Sequence, residues 1–179
     1  MIALTGIPVL ETERLLLRAP QPQDGPGYVA FMMSERAQYV GGPLPERRAW
    51  YAFATEFGHW ATRQFGMWAV TEKGSDICLG YVGCWCPQTW PEAEIGWTLW
   101  PEAEGRGIAY EAALAARAHA YGTLGWATAV SYIDYGNERS ARLAERLGAR
   151  LDPEALFPGH DMGAEPCRVY RHPAPEDLA

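Results

Sequence analysis

Long apolar runs are missing from this chain: no stretch of its 179 residues approaches the ~18 uninterrupted apolar residues of a spanning helix, so a membrane-embedded protein is not expected. A basic surplus is also missing. The formal net charge is -7, whereas a nucleic-acid binder needs a cationic face to displace phosphate counterions. Slight attraction for a basic partner follows instead. The opening residues 1–8 carry neither a basic segment nor an apolar stretch long enough for an export signal, which points to a cytoplasmic protein. Cys78, Cys84, Cys86 and Cys167 show no C-x-x-C spacing and no nearby histidine pair, leaving neither a zinc site nor a dithiol redox motif. Cys84 and Cys86 alternate around Trp85 and read as one packed face of a strand. No repeat, linker or low-complexity segment interrupts the chain. What is present, 48% hydrophobic against 21% charged residues, describes a globular chain of one domain, residues 1–179, able to bury about 70% of its unfolded surface.

Residues 11–18 are apolar and compact and precede Pro20 and Pro22, as suits a first strand that stops where proline removes a donor. Asp24 is placed to cap a helix reaching about Ala37. After the Gly41-Gly42-Pro43 break, a second helix from about Pro45 to Gln64 sets Trp50, Phe53, Phe57 and Trp60 three and four residues apart, a stripe that reads as core. Strands are expected at 67–71, 77–86 and 94–100, forming an antiparallel meander. Gly105-Arg106-Gly107 then opens an alanine-rich helix from about Ile108 to Tyr121, followed by a strand at 127–133. Asn137 caps a last helix ending at Gly148, and two more strands are expected at 150–156 and 167–171.

The chemistry concentrates where the strand 94–100 meets the glycine turn. The first N–H groups of a helix lack partners within it and the dipole is positive there, so main chain alone can hold a pyrophosphate. Glycines keep side chains clear, Arg106 adds a cation, and Ala109, Ala112, Ala113 and Ala116 allow close packing on a sheet. By itself the turn fits three readings: a tight connection with no ligand, a nicotinamide-dinucleotide loop with Asp134 as the ribose-binding acid, or another diphosphate site. Tyr110 in place of a third glycine, and the antiparallel pattern before the turn, weigh against the dinucleotide.

Three segments together resemble a known family. They are residues 12–18, Thr-Glu-Arg-Leu-Leu-Leu-Arg; Glu94-Ile95-Gly96-Trp97 leading to the run 105–112, Gly-Arg-Gly-Ile-Ala-Tyr-Glu-Ala; and residues 137–148, Asn-Glu-Arg-Ser-Ala-Arg-Leu-Ala-Glu-Arg-Leu-Gly. In this order and spacing they are similar to the GNAT N-acetyltransferase superfamily, in its Rim-type branch. The resemblance implies an α/β fold with a mixed sheet of about seven strands, an antiparallel N-terminal part, a β-α-β unit for the cofactor and four main helices. It further implies a bulged fourth strand splayed from the fifth. The co-substrate would be acetyl-CoA, the other partner an amine acceptor, and a homodimer is compatible with the family.

On that resemblance Trp97, Thr98 and Leu99 lie along the pantetheine arm. Gly105, Arg106, Gly107, Ile108, Ala109 and Tyr110 carry the pyrophosphate, and Asn137 and Ser140 approach the cofactor from the other side. Asn137 can also serve as a helix cap. Glu94 is the candidate general base, with a pKa raised in a partly desolvated cleft; the alternative is an ordinary surface glutamate. Main-chain N–H groups near Trp97 would face the thioester oxygen. The tyrosine that many relatives carry seven residues after the asparagine is Ala144 here, which leaves Ser140 as proton donor to the thiolate unless its hydroxyl bonds a carbonyl one turn back. Glu104 stands where glutamine, arginine or tryptophan is usual, so it is expected to face solvent or else to weaken CoA affinity. Ala149 replaces a common phenylalanine. Trp50, Trp60, Trp68, Trp85, Trp90, Trp97 and Trp100 border the acceptor cleft of the family, as lining or as core. No role falls to the histidines and no metal site is expected.

Overall fold

The computed structural model describes residues 5–178, so part of the N-terminal segment read above for an export signal lies outside it. Eight strands form one sheet: β1 (Leu10–Glu11), β2 (Leu15–Arg18), β3 (Met67–Glu72), β4 (Gly80–Trp85), β5 (Glu94–Leu99), β6 (Val130–Ile133), β7 (Arg150–Leu151) and β8 (Arg168–Arg171), in spatial order β1-β2-β3-β4-β5-β6-β8-β7. All neighbours are antiparallel except β5 and β6. Four α-helices accompany them: α1 (Gly25–Met32), α2 (Glu46–Arg63), α3 (Ile108–Gly122) and α4 (Glu138–Arg146). None is long and apolar enough to cross a membrane among the described residues.

The extra strand comes from Thr12. Its hydroxyl accepts the Leu15 N–H at 2.9 Å while its own N–H reaches the Leu15 carbonyl at 3.0 Å, so the expected first strand is folded into a hairpin. The first helix is shorter than its pattern suggested. Ser34 caps the Phe31 carbonyl with both N–H and hydroxyl, and residues 35–39 continue as a separate 3₁₀ turn. Asp24 holds the N-cap position of α1 but turns its carboxylate back, accepting two bonds from Arg18 and the Gln21 N–H. Strand β4 starts only at Gly80, because residues 77–79 approach β3 through a single Leu79-to-Val70 bond. Strand β6 starts at Val130 instead of 127. Strand β7 stops at Leu151, where Asp152 begins a turn.

The period of two along the strands assigns each face. Val82, Cys84 and Ile95 point to the α3 side, where α3 presents the buried stripe Ala112, Ala116 and Ala120. Small side chains there let the helix lie close over β4 and β5. Ala69 and Tyr81 point the other way, toward α1 and α2, into a cluster with Tyr28, Phe53 and Trp100. The buried face of α2 is Ala49, Phe53, Glu56 and Trp60, not a stripe centred on Trp50, which is 56% exposed. Trp60 and Trp68 belong to the α3-side core, each with its indole N–H bonded to a carbonyl.

Candidate active site

Strands β5 and β6 share a single paired position, Glu94 opposite Val130. The Val130 N–H reaches the Ala93 carbonyl, and one residue on the link has already passed to a side chain, Ser131 Oγ donating to the Ile95 carbonyl at 2.6 Å. From there the strands part. Because Trp100 N–H bonds back to Leu79, strand alternation turns the main chain of Trp97 and Leu99 toward the gap, whereas Thr98 directs its carbonyl at β4. The register between β4 and β5 runs unbroken from Gly80–Leu99 to Trp85–Glu94. The splay expected from the resemblance is therefore present without the bulge: divergence of β6 alone opens the gap.

Two cavities meet at this edge. One, of about 450 Å³, lies on the α3 and α4 side and is lined by Trp97, Thr98, Leu99, Gly105, Ala109, Asn137 and Ser140. Seven of the expected cofactor residues are thus brought together. Arg106, Gly107, Ile108 and Tyr110 lie outside that lining. The Ile108 side chain is buried in the core, so only its main chain can serve a ligand.

Gly105 and Gly107 take positive φ, 73° and 78°, the conformation that makes successive N–H groups converge. Glu111 N–H bonds to the Gly107 carbonyl, but among the described residues no hydrogen bond takes the N–H groups of residues 105–110. The side chain of Arg106 does not reach over the turn. It is paired with Glu72 at 2.5 Å. The guanidinium beside the turn is that of Arg14, which bonds the Arg106 carbonyl at 3.1 Å and is fixed by Glu111 at 2.7 Å. Arg14 lay inside a recognised segment, but only the fold brings it 92 residues forward to the turn.

Glu104 does not face open solvent. It is bridged by Arg36, from the turn after α1, and by Arg139 of α4 at 2.8 Å, so two cations offset its charge beside the glycine turn. The amide of Asn137 caps α4, its Oδ1 accepting the Ser140 N–H at 3.2 Å. Ser140 Oγ accepts the Trp97 indole N–H at 3.1 Å, and no bond to a carbonyl one turn back engages it, so its own proton stays available. Ala144 and Ala149 are buried with Tyr170 beneath α4.

The second cavity, of about 620 Å³, opens on the α1 and α2 side and shares Trp97, Asn137 and Ser140 with the first. Gly83 and Gly96 pair across β4 and β5, between the Tyr81–Thr98 and Trp85–Glu94 pairs; Gly83 is packed against the Gly66 carbonyl, whereas Gly96 lines the cavity. Glu94 leans over Gly96, its Oε1 3.7 Å from where a Cβ on that glycine would stand. Trp90 donates to Oε2 at 2.8 Å and the Tyr132 N–H to Oε1 at 3.4 Å. Desolvation nevertheless outweighs these two bonds and pushes the carboxyl up to about 7. Glu94 is thus no ordinary surface glutamate. Trp85, Trp90, Trp97 and Trp100 line this cavity, four of the seven tryptophans considered for it. Trp85 is stacked on His59 at 4.1 Å; the Nε2 of His59 accepts the Cys86 N–H, so Nδ1 carries the proton it donates to Phe65.

A profile of the acetyltransferase (GNAT) domain matches residues 14–150. The chain belongs to the GNAT acetyltransferase family. Its reaction is accordingly acetyl transfer, and the sheet with one parted parallel pair is the GNAT sheet, with one strand more than the sequence pattern indicated. A crystal structure of an acetyltransferase from Agrobacterium tumefaciens is 37% identical, covers 97% of this chain and 98% of its own, and superposes with a TM-score of 0.86. A protein described as a GnaT-family acetyltransferase from Bordetella pertussis is 25% identical over 93% of this chain and 99% of its own, TM-score 0.74. The ribosomal L7/L12 α-N-protein acetyltransferase RimL shares the fold at 15% identity, 92% coverage of each chain and TM-score 0.69. Among the described residues only one pair of strands in this GNAT sheet is parallel, which removes the doubly wound frame that the dinucleotide reading of Gly105, Gly107 and Asp134 required.

Proposed function

We propose that the whole chain acts as one domain that moves an acetyl group from acetyl-CoA to a primary amine by direct attack, with no acyl-enzyme. One observation carries the reading: two cavities that share Trp97, Thr98, Asn137 and Ser140 meet at the free edge of β5, the Glu94 carboxylate lining the larger and the glycine turn the smaller. Acetyl-CoA supplies an activated thioester. The free N–H groups of residues 105–110, with Arg14 beside them, fit a pyrophosphate, since a nest of main-chain donors needs no reorganisation on binding. Trp97 and Leu99 offer main-chain groups to the amides of a pantetheine arm lying in the gap, while Thr98 contributes only its side chain to the lining. Asn137 caps α4 and keeps Ser140 turned to the slot.

Glu94 takes the proton of the attacking ammonium or amine; with a pKa near 7 it is both partly deprotonated and basic enough at neutral pH. The Trp97 N–H donates toward the thioester oxygen as charge develops there. Ser140 gives a proton toward the sulfur and is held by the Trp97 indole. Ser140→Ala is expected to lower kcat about a hundredfold, at the low end of general-acid effects, while leaving the protection by acetyl-CoA intact. Unchanged kcat would remove Ser140 from the chemistry.

Thermal melting with acetyl-CoA tests the reading directly. At a hundredfold excess over Kd the ligand should add about 2.7 kcal/mol of stability. NADH should add nothing, and release of free CoA thiol should require an amine. No protection by acetyl-CoA would refute the reading. Protection with no thiol release from any amine would favour a CoA-binding module without turnover, the reading that buried Ala144 in place of a tyrosine leaves standing.

A further inference from the structure

The acceptor-side cavity holds a second carboxyl that the chemistry above does not use. Glu56 projects from α2, is only 7% exposed, and lines the cavity. Its Oε1 accepts the Tyr28 hydroxyl at 2.9 Å. Its Oε2 is buried with no hydrogen-bond partner, and so is the hydroxyl of Tyr81, which stands in the same cavity and is 1% exposed. The Tyr28 and Tyr81 rings meet edge to face, 5.3 Å between centroids.

Two buried polar atoms without partners, on residues that line one cavity, are costly to the free protein. A buried neutral pair does not remove the cost. Burial pushes the Glu56 carboxyl up to about 8, and a protonated Glu56 would still have an O–H with nothing to receive it. An ammonium or guanidinium entering with a ligand can supply the missing partner: its charge favours the ionised form of Glu56, to which it donates, and the Tyr81 oxygen accepts from it as well.

The charge of the cavity selects the donor. Glu56, Glu94, Asp134 and Glu165 line it, and among the described residues no lysine, arginine or histidine does. The remaining wall is largely aromatic, which stabilises a cation over ring faces as well as beside carboxylates. The two carboxyls that point inward are also separated. Glu94 lies across from Trp85, whereas Glu56 keeps company with Tyr28 and Tyr81; Tyr81 and Trp85 are four residues apart on β4, about 13 Å of strand.

We propose that the acceptor is an organic dication: the amine to be acetylated lies at Glu94, and a second ammonium or guanidinium group rests on Glu56 Oε2 and the Tyr81 hydroxyl. The inference rests on the acetyltransferase reading and gives it a substrate class. Glu56 is a specificity residue in this scheme and touches no reacting atom.

The test compares α,ω-diamines of increasing length with n-alkyl monoamines and ω-amino alcohols of equal length, following CoA thiol release from acetyl-CoA. Diamines of one favoured length are expected to exceed both others at least tenfold in kcat/KM, the advantage residing in KM. Glu56→Gln keeps the shape and the Tyr28 bond, and is expected to cut the diamine-to-monoamine ratio at least tenfold. Tyr81→Phe, which removes one oxygen, should cut it severalfold and guards against misfolding of the first variant. Diamines no better than monoamines, amino alcohols equal to diamines, or a ratio untouched by both variants would each overturn the proposal. In those cases acetyl-CoA would still protect the protein in a melt; loss of that protection as well would mark failure of the underlying acetyltransferase reading.

Discussion

Glu94→Gln is expected to lower kcat/KM by about 10²–10⁴-fold, the range typical of removing a positioned general base. The substitution keeps the shape and one acceptor for the Trp90 indole, so the loss reports proton transfer more than packing. The pH profile separates the two. In the native enzyme the carboxyl must be ionised to accept a proton, and burial has pushed it up to about 7, so log kcat/KM should climb as pH rises toward 7 and bend there. Any further rise belongs to the acceptor amine. The Gln variant should lose the bend and keep the later rise.

Stability should move in the opposite direction. A carboxyl whose folded pKa lies above its unfolded value binds protons more tightly in the native state, so its contribution is favourable at low pH and is lost as pH rises through the folded pKa. Replacing Glu94 by neutral Gln should therefore leave the melting temperature unchanged near pH 5 and raise it at pH 8. A variant that is inactive and also less stable at pH 8 would make Glu94 a packing residue.

Features set by neighbours in sequence were readable before any coordinates. Asn137 caps α4 because an asparagine immediately ahead of a helical pattern is a preferred cap, and Gly105 and Gly107 carry positive φ because the strand-to-helix turn demands it. Glu94 stood out only through the resemblance, which put it on the cofactor strand; its burial, which sets it apart from a surface glutamate, comes from the fold. What stayed hidden depends on meetings across the fold. The Thr12 hairpin came from a hydroxyl competing for main-chain bonds, which no hydrophobic period records. Arg36 and Arg139 come together on Glu104 from 68 and 35 residues away in the chain, so its expected exposure to solvent could not be corrected from local pattern. Trp50 was grouped with the core because spacings of three and four admit two adjacent helix faces, and only packing against β3 and β4 selects the one through Ala49, Phe53 and Trp60. Glu56 escaped for the same reason. An acidic residue on a helix reads as a solvent face until its Tyr28 partner, 28 residues earlier, is seen beside it.

Gly107→Val is expected to abolish the acetyl-CoA shift, that is, to lower affinity by a hundredfold or more. Gly107 is the N-cap of α3 at φ 78°, a conformation that a β-branched residue adopts only with strain. A Cβ there would also sit 3.5 Å from the Arg14 guanidinium, so a branched side chain must displace either that arginine or the turn. Both changes strike the same feature, since the free N–H groups of residues 105–110 converge only while the left-handed turns hold, and Arg14 is the cation beside them. Backbone strain of this kind costs on the order of 1–3 kcal/mol, which lowers the melting temperature of the free protein but does not by itself erase a ligand's increment. The comparison that decides is therefore the shift on adding acetyl-CoA, not the absolute melting temperature. Gly107→Ala should give an intermediate shift, because a single methyl strains the turn without reaching past Arg14. A Val variant that melts earlier yet gains as much from acetyl-CoA as the native chain would move the diphosphate away from this turn, and with it the role assigned to the parted edge of β5.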